Sequence, residues 1–295
     1  MKVRIGIGNG RGPLDDERLG AFLDAMERHG FDSIWLSETL AGGGVDPVAG
    51  LAFAAARAPR VKLGTTMLLP GRNPVRLAKA LATLDRLSRG RLLVTFVPGV
   101  LRSPEREVIG VAPRARGAAM EEGLALVRRL LSGEVTDHDG ALGSFRGVTL
   151  SPLPVQQPLE FWLGGMAAAA LERCGRLGDG WLPSACTPAE AAAGREVIEG
   201  VAAAAGRAIS DEHYGVSIAY LRAEPTPEQR AQITERAKGR DPRLVVPVGL
   251  EQARALLEAF IAEGFSKFVL RPMAAVDDHD EELAALASAL GDLQS

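Results

Sequence analysis

Residues 61–96 read VKLGTTMLLPGRNPVRLAKALATLDRLSRGRLLVTF. The apolar run VKLGT at 61–65 has strand character and leads through Thr66 and Met67 into a loop holding Pro70, Gly71, Arg72, Asn73 and Pro74. Pro74 suits the first turn of a helix, and Leu77, Leu81, Leu84 and Leu87 recur at the spacing of one apolar helical stripe. RLLVTF at 91–96 is then a second strand. Two strands joined through a helix form a parallel crossover unit, because parallel neighbours cannot be linked by a tight turn. Small hydroxyl residues followed by Met67 at the strand's end either form a floor beneath a flat ring or begin an ordinary strand-to-helix loop.

The same alternation extends in both directions. VRIGI at 3–7 is a first strand, and a helix from about Asp15 to His29, with Leu19, Phe22, Leu23 and Met26 on one face, stops at Gly30. SIWL at 33–36 is the second strand, followed by a polar loop through Gly44 and a helix from Pro47. After 91–96, a loop to Pro113 and a helix near 115–132 follow. Turn chemistry in 134–158 then reads as an inserted hairpin. EFWLG, GWLP, YGVSIAYL and KFVLRP supply strands five to eight, with helices at about 167–177, 188–206 and 251–264 and a closing helix near 280–293. Residues 225–248, with four prolines, read as a second insertion holding one short helix. Eight alternating strands predict a (β/α)8 barrel over 1–295, a single unit with two insertions and with its chemistry at the carboxyl ends of the strands.

Length agrees, since such barrels usually need roughly 250 residues and the chain has 295. A net charge of -3 with interspersed signs gives no footprint for a polyanionic partner such as nucleic acid. MKVRIGIGNG lacks the pattern of a secretory leader, and no apolar run reaches the ~18 residues of a membrane span. With only Cys174 and Cys186, spaced like neither CxxC nor a zinc ribbon, the expectation is a soluble, cytoplasmic protein with reduced thiols.

Several motifs are excluded. GIGNGRG at 6–12 fails the dinucleotide fingerprint, because the third glycine position falls on Arg11 or Pro13. No P-loop, nucleophile elbow or HExxH occurs, and His29, His138, His213 and His279 are scattered, which disfavours a metal centre or a histidine triad. WLGGMAAAALERCGRLGDGW carries more: a strand stopping at Gly164 and Gly165 just before a helix exposes amides at the positive end of the helix dipole. That is a seat for an anion or simply a tight turn. Glu38, two residues past the second strand, is either a catalytic carboxylate or a solvated loop acid.

Taken together, GFDSIWLSE, the 61–92 segment, PLEFWLGGMAAAALERCGRLGDGWLP and EGFSKFVLRP resemble the bacterial luciferase-like superfamily, and within it the oxidoreductases that use the deazaflavin coenzyme F420. The similarity runs from residue 3 to about 272, and ATLDRLSRGRL is its most specific part. The resemblance implies an eight-stranded barrel with insertions, often a homodimer, holding a flavin or deazaflavin at the strands' carboxyl ends. It implies a non-proline cis peptide near Thr66 and Met67 supporting the ring, so Thr65, Thr66 and Met67 are expected at the ring. Coenzyme phosphate is expected on Gly164, Gly165 and Met166. Asp179 and Gly180 match a turn read as structural.

Departures accompany the likeness. Where several deazaflavin dehydrogenases of the superfamily carry Ser-Asp-His after strand two, this chain has Ser37, Glu38 and Thr39. That sets it apart from enzymes relying on the histidine. The loop after strand four keeps Gly99 but carries Pro98. The expected activity is F420-dependent hydride transfer between the deazaflavin C5 and a small organic substrate. Glu38 or Thr39 is the catalytic polar contact, and Arg72, Asn73 and Arg271 stand at the substrate mouth or coenzyme tail. The alternatives are an FMN monooxygenase fed by a separate reductase and a non-catalytic coenzyme-binding protein. No metal is expected.

Overall fold

A computed structural model describes residues 1–10, 15–41, 44–99 and 105–295. Arg11 and Gly12 of the 6–12 glycine motif, and Val100, lie outside these described residues. In chain order the elements are β1 (Arg4–Gly8), α1 (Asp16–His29), β2 (Ser33–Ser37), α2 (Pro47–Arg57), β3 (Lys62–Leu68), α3 (Pro74–Leu87) and β4 (Leu92–Val97). Next come α4 (Glu105–Val108), α5 (Arg116–Leu131), a hairpin of β5 (Thr136–Gly140) and β6 (Gly143–Val148), β7 (Phe161–Leu163), α6 (Ala168–Leu177) and β8 (Gly180–Trp181). The chain ends with α7 (Pro188–Ala204), β9 (Gly215–Tyr220), α8 (Pro227–Ala237), α9 (Leu250–Ala262), β10 (Lys267–Pro272) and α10 (His279–Leu290).

Eight strands pair in parallel in the order β8-β7-β4-β3-β2-β1-β10-β9. Bridges from Trp181 to Tyr214 and from Ser184 to Ser217 bring β8 against β9 and nearly close the barrel. The expected (β/α)8 barrel is therefore present. The 134–158 insertion is the antiparallel β5–β6 hairpin, and the 225–248 insertion holds α8 and a short 3-10 turn at Pro242–Leu244.

Helix starts follow local chemistry. Asp15, Asp46, Asn73, Thr187 and Thr226 cap α1, α2, α3, α7 and α8 through their side chains, and Gly30 ends α1 in the left-handed region. The segment closing α3 explains ATLDRLSRGRL. Asp85 is wholly buried, and its carboxylate accepts from the backbone amides of Val155 (2.6 Å) and Gln156 (2.9 Å) and from Gln156 Nε2 (2.7 Å). It thereby pins the chain returning from the hairpin. Arg91 donates to the carbonyls of Ser88, Ala55, Ala58 and Val61, tying the β4 entrance to the end of α2. Leu87, expected in the apolar stripe, is 57% exposed, so the buried face of α3 runs instead through Leu77, Ala78, Leu81, Ala82 and Leu84.

Strand alternation sorts side chains into two layers. Ile5, Ile7, Ile34, Leu36, Leu63, Met67, Val94, Phe96, Phe161 and Leu163 belong to the core between the strands and the helices. The opposite register fills the barrel, where Trp35, Leu182 and Val269 pack with Leu93 and Trp162. Glycines make room for the two indoles: a Cβ on Gly64 would come within 2.3 Å of Trp35, and one on Gly180 within 2.4 Å of Trp162. Below this plug, at the strands' amino ends, lies a small charged cavity bounded by Arg4, Asp32, Lys62, Glu160 and Lys267.

Candidate functional site

The carboxyl end of the lumen carries a polar ring. Thr66 on β3 stands beside Thr95 on β4 in register, and Thr95 Oγ1 is buried without a hydrogen-bond partner among the described residues. A buried orphan hydroxyl costs about 1–3 kcal/mol unless something answers it. It lies on the lumen register beside Thr66, but with no surface open to a ligand.

Strand β3 runs to Leu68, three residues beyond the expected end, with Thr66, Met67 and Leu68 all paired to β4. This continuous ladder corrects the expectation for 65–67 in two ways. The cis peptide bonds among the described residues precede Pro152 and Pro158, so the Thr66–Met67 bond is trans. Met67 is fully buried in the strand-to-helix core, and the buried Thr65 donates its hydroxyl to the Leu36 carbonyl at 2.9 Å. Of the three, Thr66 alone belongs to the lumen register.

Glu38 is neither a free catalytic acid nor a solvated one. Its side chain is 4% exposed; one oxygen accepts from the Leu68 amide at 2.7 Å, and the other pairs with the Arg72 guanidinium. Arg72 Nε also donates to the Leu68 carbonyl at 2.9 Å. Glu38 and Arg72 thus clip the end of β2 to the end of β3. Asn73, expected at the substrate mouth, is the cap of α3, its side chain accepting from the Arg76 amide at 3.0 Å. Thr39 is exposed on the loop after β2.

The paired glycines stand where the expectation put them, with their roles divided. The Gly164 amide is committed to the Phe96 carbonyl at 3.1 Å, while the Gly165 carbonyl accepts from Trp181 Nε1 at 3.0 Å. Gly165 has φ +114, and a Cβ at Gly164 would meet Val97 Cγ1 at 2.8 Å, so both positions exclude larger residues. Helix α6 begins directly after them, and its N-cap, Ala167, offers no side-chain cap. The amides of Met166 and Ala167 have no acceptor among the described residues. They open on a groove of about 1230 Å³ whose wall includes Gly99, Met166, Ser184, Arg236, Lys238 and Arg240. Gly99, at φ +89, lets the β4 loop turn past Ile109.

The cations come from the second insertion. Arg240 is held by Glu190 at 2.7 Å and by the Ala185 carbonyl. Burial raises the Glu190 pKa, but the Thr187 amide and Arg240 outweigh it and hold the carboxyl below its usual range. Lys238 is exposed at the groove. Reading the sequence for strand ends missed this cluster, although Arg236, Lys238 and Arg240 are spaced two apart in RAKGR.

Arg271, on β10, belongs to the lumen. Its Nε donates to Ser217 Oγ at 2.8 Å, and Gly8 makes way for it, since a Cβ there would lie 2.6 Å from Arg271 Cγ. Burial, with Arg236 as the neighbouring charge, pushes its pKa down to about 10. None of the four histidines lines the groove, and no group of three or more potential metal ligands occurs among the described residues. No described helix is long and apolar enough to cross a membrane.

The model of the luciferase-like monooxygenase family matches residues 3–241. This chain belongs to that family. Over 176 residues the luciferase-like chain is 28% identical to an F420-dependent glucose-6-phosphate dehydrogenase of Kineococcus radiotolerans, with 56% of this chain and 51% of that enzyme covered. It is 38% identical over 117 residues to limonene 1,2-monooxygenase of Rhodococcus erythropolis, covering 38% of this chain and 30% of the other. The chain therefore spans about half, or less, of the length of these two relatives. The crystal structure of monooxygenase RslO1 from Streptomyces bottropensis superposes with a TM-score of 0.79 at 26% identity, covering 98% of this chain and 99% of that one. The uncapped amides of α6 and the basic groove fit a phosphate-bearing coenzyme.

Proposed function

We propose that this luciferase-like protein is an oxidoreductase that binds coenzyme F420 at the carboxyl end of its barrel and acts on a small organic substrate. The observation that carries this reading is the uncapped start of α6, whose amides border a groove that Lys238 and Arg236 also line. A helix start and flanking cations hold a phosphate through aligned donors and positive potential. When bound, the deazaflavin supplies hydride donation or acceptance at its C5.

The chain's own residues bind and orient. Met166 and Ala167 amides would take the phosphate, with Gly164, Gly165 and Gly99 leaving space for its approach. Thr66 would meet the ring's polar edge, and the Trp35–Trp162 plug closes the lumen beneath it. Met67 and Thr65 contribute from behind, as packing that fixes Thr66. The Glu38–Arg72 clip sets the height of the β3 end. Arg271 would face the substrate. Holding donor and acceptor at contact is the protein's main contribution to a hydride transfer.

FMN is the alternative coenzyme, in keeping with the 26% identity to a protein described as a monooxygenase over nearly the full chain, whose own coenzyme that description does not name. In that case a separate reductase would supply reduced flavin. A homodimer is proposed with either coenzyme. Parallel titrations with oxidised F420 and FMN, followed by quenching of coenzyme fluorescence, decide between them. Selective F420 quenching that Gly164→Val abolishes supports the leading reading, selective FMN binding replaces it, and binding of neither overturns the site.

A further inference from the structure

Several arginines drawn into the described fold spend their guanidinium groups on identifiable partners. Arg91 spends its guanidinium on four backbone carbonyls, and Arg116 donates to the carbonyls of Val111 and Arg106. Arg173 pairs with Glu121. Arg271, half-buried inside the barrel, has a single hydrogen bond, from Nε to the neutral hydroxyl of Ser217. Its two terminal amino groups have no partner among the described residues, and no described carboxylate pairs with it. The charge that acts on it most is a second cation, Arg236.

The position is prepared by sequence. Gly8 on β1 is required for the Arg271 side chain to pass, and Ser217 on β9 fixes the inner edge of the guanidinium. Two neighbouring strands therefore hold one cation rigidly, while the face that carries two parallel N–H donors stays unused. A planar fork with free parallel donors matches a carboxylate or phosphate in bidentate geometry. Arg271 is only part-buried, so its open terminal amino groups are available to an anionic ligand that brings the counterion.

We propose that the lumen takes a molecule bearing a carboxylate or phosphate group, and that Arg271, oriented by Ser217, binds that group. This rests on the reading of the carboxyl end as the catalytic chamber and gives its substrate class: an anionic organic molecule. The same chemistry could be presented by the coenzyme's own tail, and the test separates the two sources.

Thermal unfolding of the purified chain is followed during titration with sodium acetate and with inorganic phosphate, each against sodium chloride at equal ionic strength. Wild type, Arg271→Met, Arg271→Lys and Ser217→Ala are compared, with and without saturating F420 or FMN. The expected result is a saturable rise of the wild-type midpoint whose Arg271-dependent part is absent in Arg271→Met, partly kept in Arg271→Lys and weakened in Ser217→Ala. If that part persists with coenzyme bound, the anion belongs to the substrate. If coenzyme abolishes it, and Arg271→Met weakens F420 but not its phosphate-free ring fragment, the anion belongs to the coenzyme. Identical responses in wild type and Arg271→Met, or none in either, overturn the proposal. So does a ligand-free Arg271→Met whose midpoint falls well below wild type, since Arg271 would then be a structural tie. Loss of all coenzyme binding alongside an intact Arg271-dependent response sinks the oxidoreductase reading and leaves the anion seat standing.

Discussion

Glu38 and Arg72 form an ion pair that encloses Leu68: the carboxylate takes the Leu68 amide, and the guanidinium takes its carbonyl. One backbone unit at the end of β3 is held from both sides by a charge. Replacing Glu38 by Ala leaves the Leu68 amide and Arg72 unanswered, an expected loss of about 2–3 kcal/mol. Arg72 is part-exposed, which keeps the figure below that of a fully buried pair. Urea unfolding of Glu38→Ala and Glu38→Gln measures it, and Gln should recover part of the loss by still accepting from the amide. Unchanged stability in both would remove the clip.

Asp85 sits deeper and anchors more. With three donors converging on a carboxylate that is fully buried, Asp85→Ala should cost about 3–5 kcal/mol and release the segment around Val155 and Gln156. Hydrogen exchange at those two amides checks the location, and denaturant midpoints check the size. Protection unchanged at both amides would contradict the assignment.

Lys238 gives a functional prediction with little structural cost. It is exposed and lies at the groove, so Lys238→Ala should leave the unfolding midpoint in place while weakening coenzyme binding roughly tenfold. The same fluorescence titration reads both coenzymes. Equal affinity in the variant would remove Lys238 from the phosphate wall.

The two thiols should be inert in the folded state. Cys174 and Cys186 are buried, and burial pushes each thiol up to about 12. Near neutral pH almost no thiolate is present and access is blocked. A chromogenic disulfide reagent should therefore label neither cysteine in the native protein and both after denaturation. Rapid native labelling would show that α6 or α7 opens.

Acid stability should depend on Glu27. Its carboxylate accepts from the amides of Arg60 (2.7 Å) and Val61 (3.1 Å) and from the Arg60 side chain. Burial alone would raise its pKa, but these donors outweigh it and the net shift is downward. A folded pKa below the unfolded one means the contribution is fully present above the unfolded value of about 4.3 and is lost as pH falls through the folded value. Wild type should thus lose its advantage over Glu27→Gln as the pH is lowered below about 5. Parallel acid limbs in the two proteins would exclude the effect.

Much of the barrel was legible because strand and helix periods are local. Leu19, Phe22, Leu23 and Met26 mark α1 as clearly in sequence as in the folded chain. The misreadings arose where one residue type serves two purposes. Asn73 before Pro74 is the signature of a helix start, a role that its place after a strand end hid behind the expectation of a substrate contact. Met67 was expected under a ring, but β3 continues two residues past Thr66, and the two-residue period sends Met67 outward. Glu38 needed Arg72 and Leu68, some thirty residues away, to reveal its role. The fit of Gly8 to Arg271 joins the first strand to the last, a relation that no local window contains. Gly164 and Gly165 were legible as a turn before a helix, although the division of their donors and acceptors was not.

All three tryptophans of the chain sit in the barrel wall or its interior: Trp35 and Trp162 in the plug, and Trp181 holding the Gly165 carbonyl beside the α6 start. A coloured coenzyme seated above them becomes an energy acceptor for every indole at once. The protein therefore carries its own optical gauge of occupancy, and its ultraviolet emission should dim in step with coenzyme binding without any attached label.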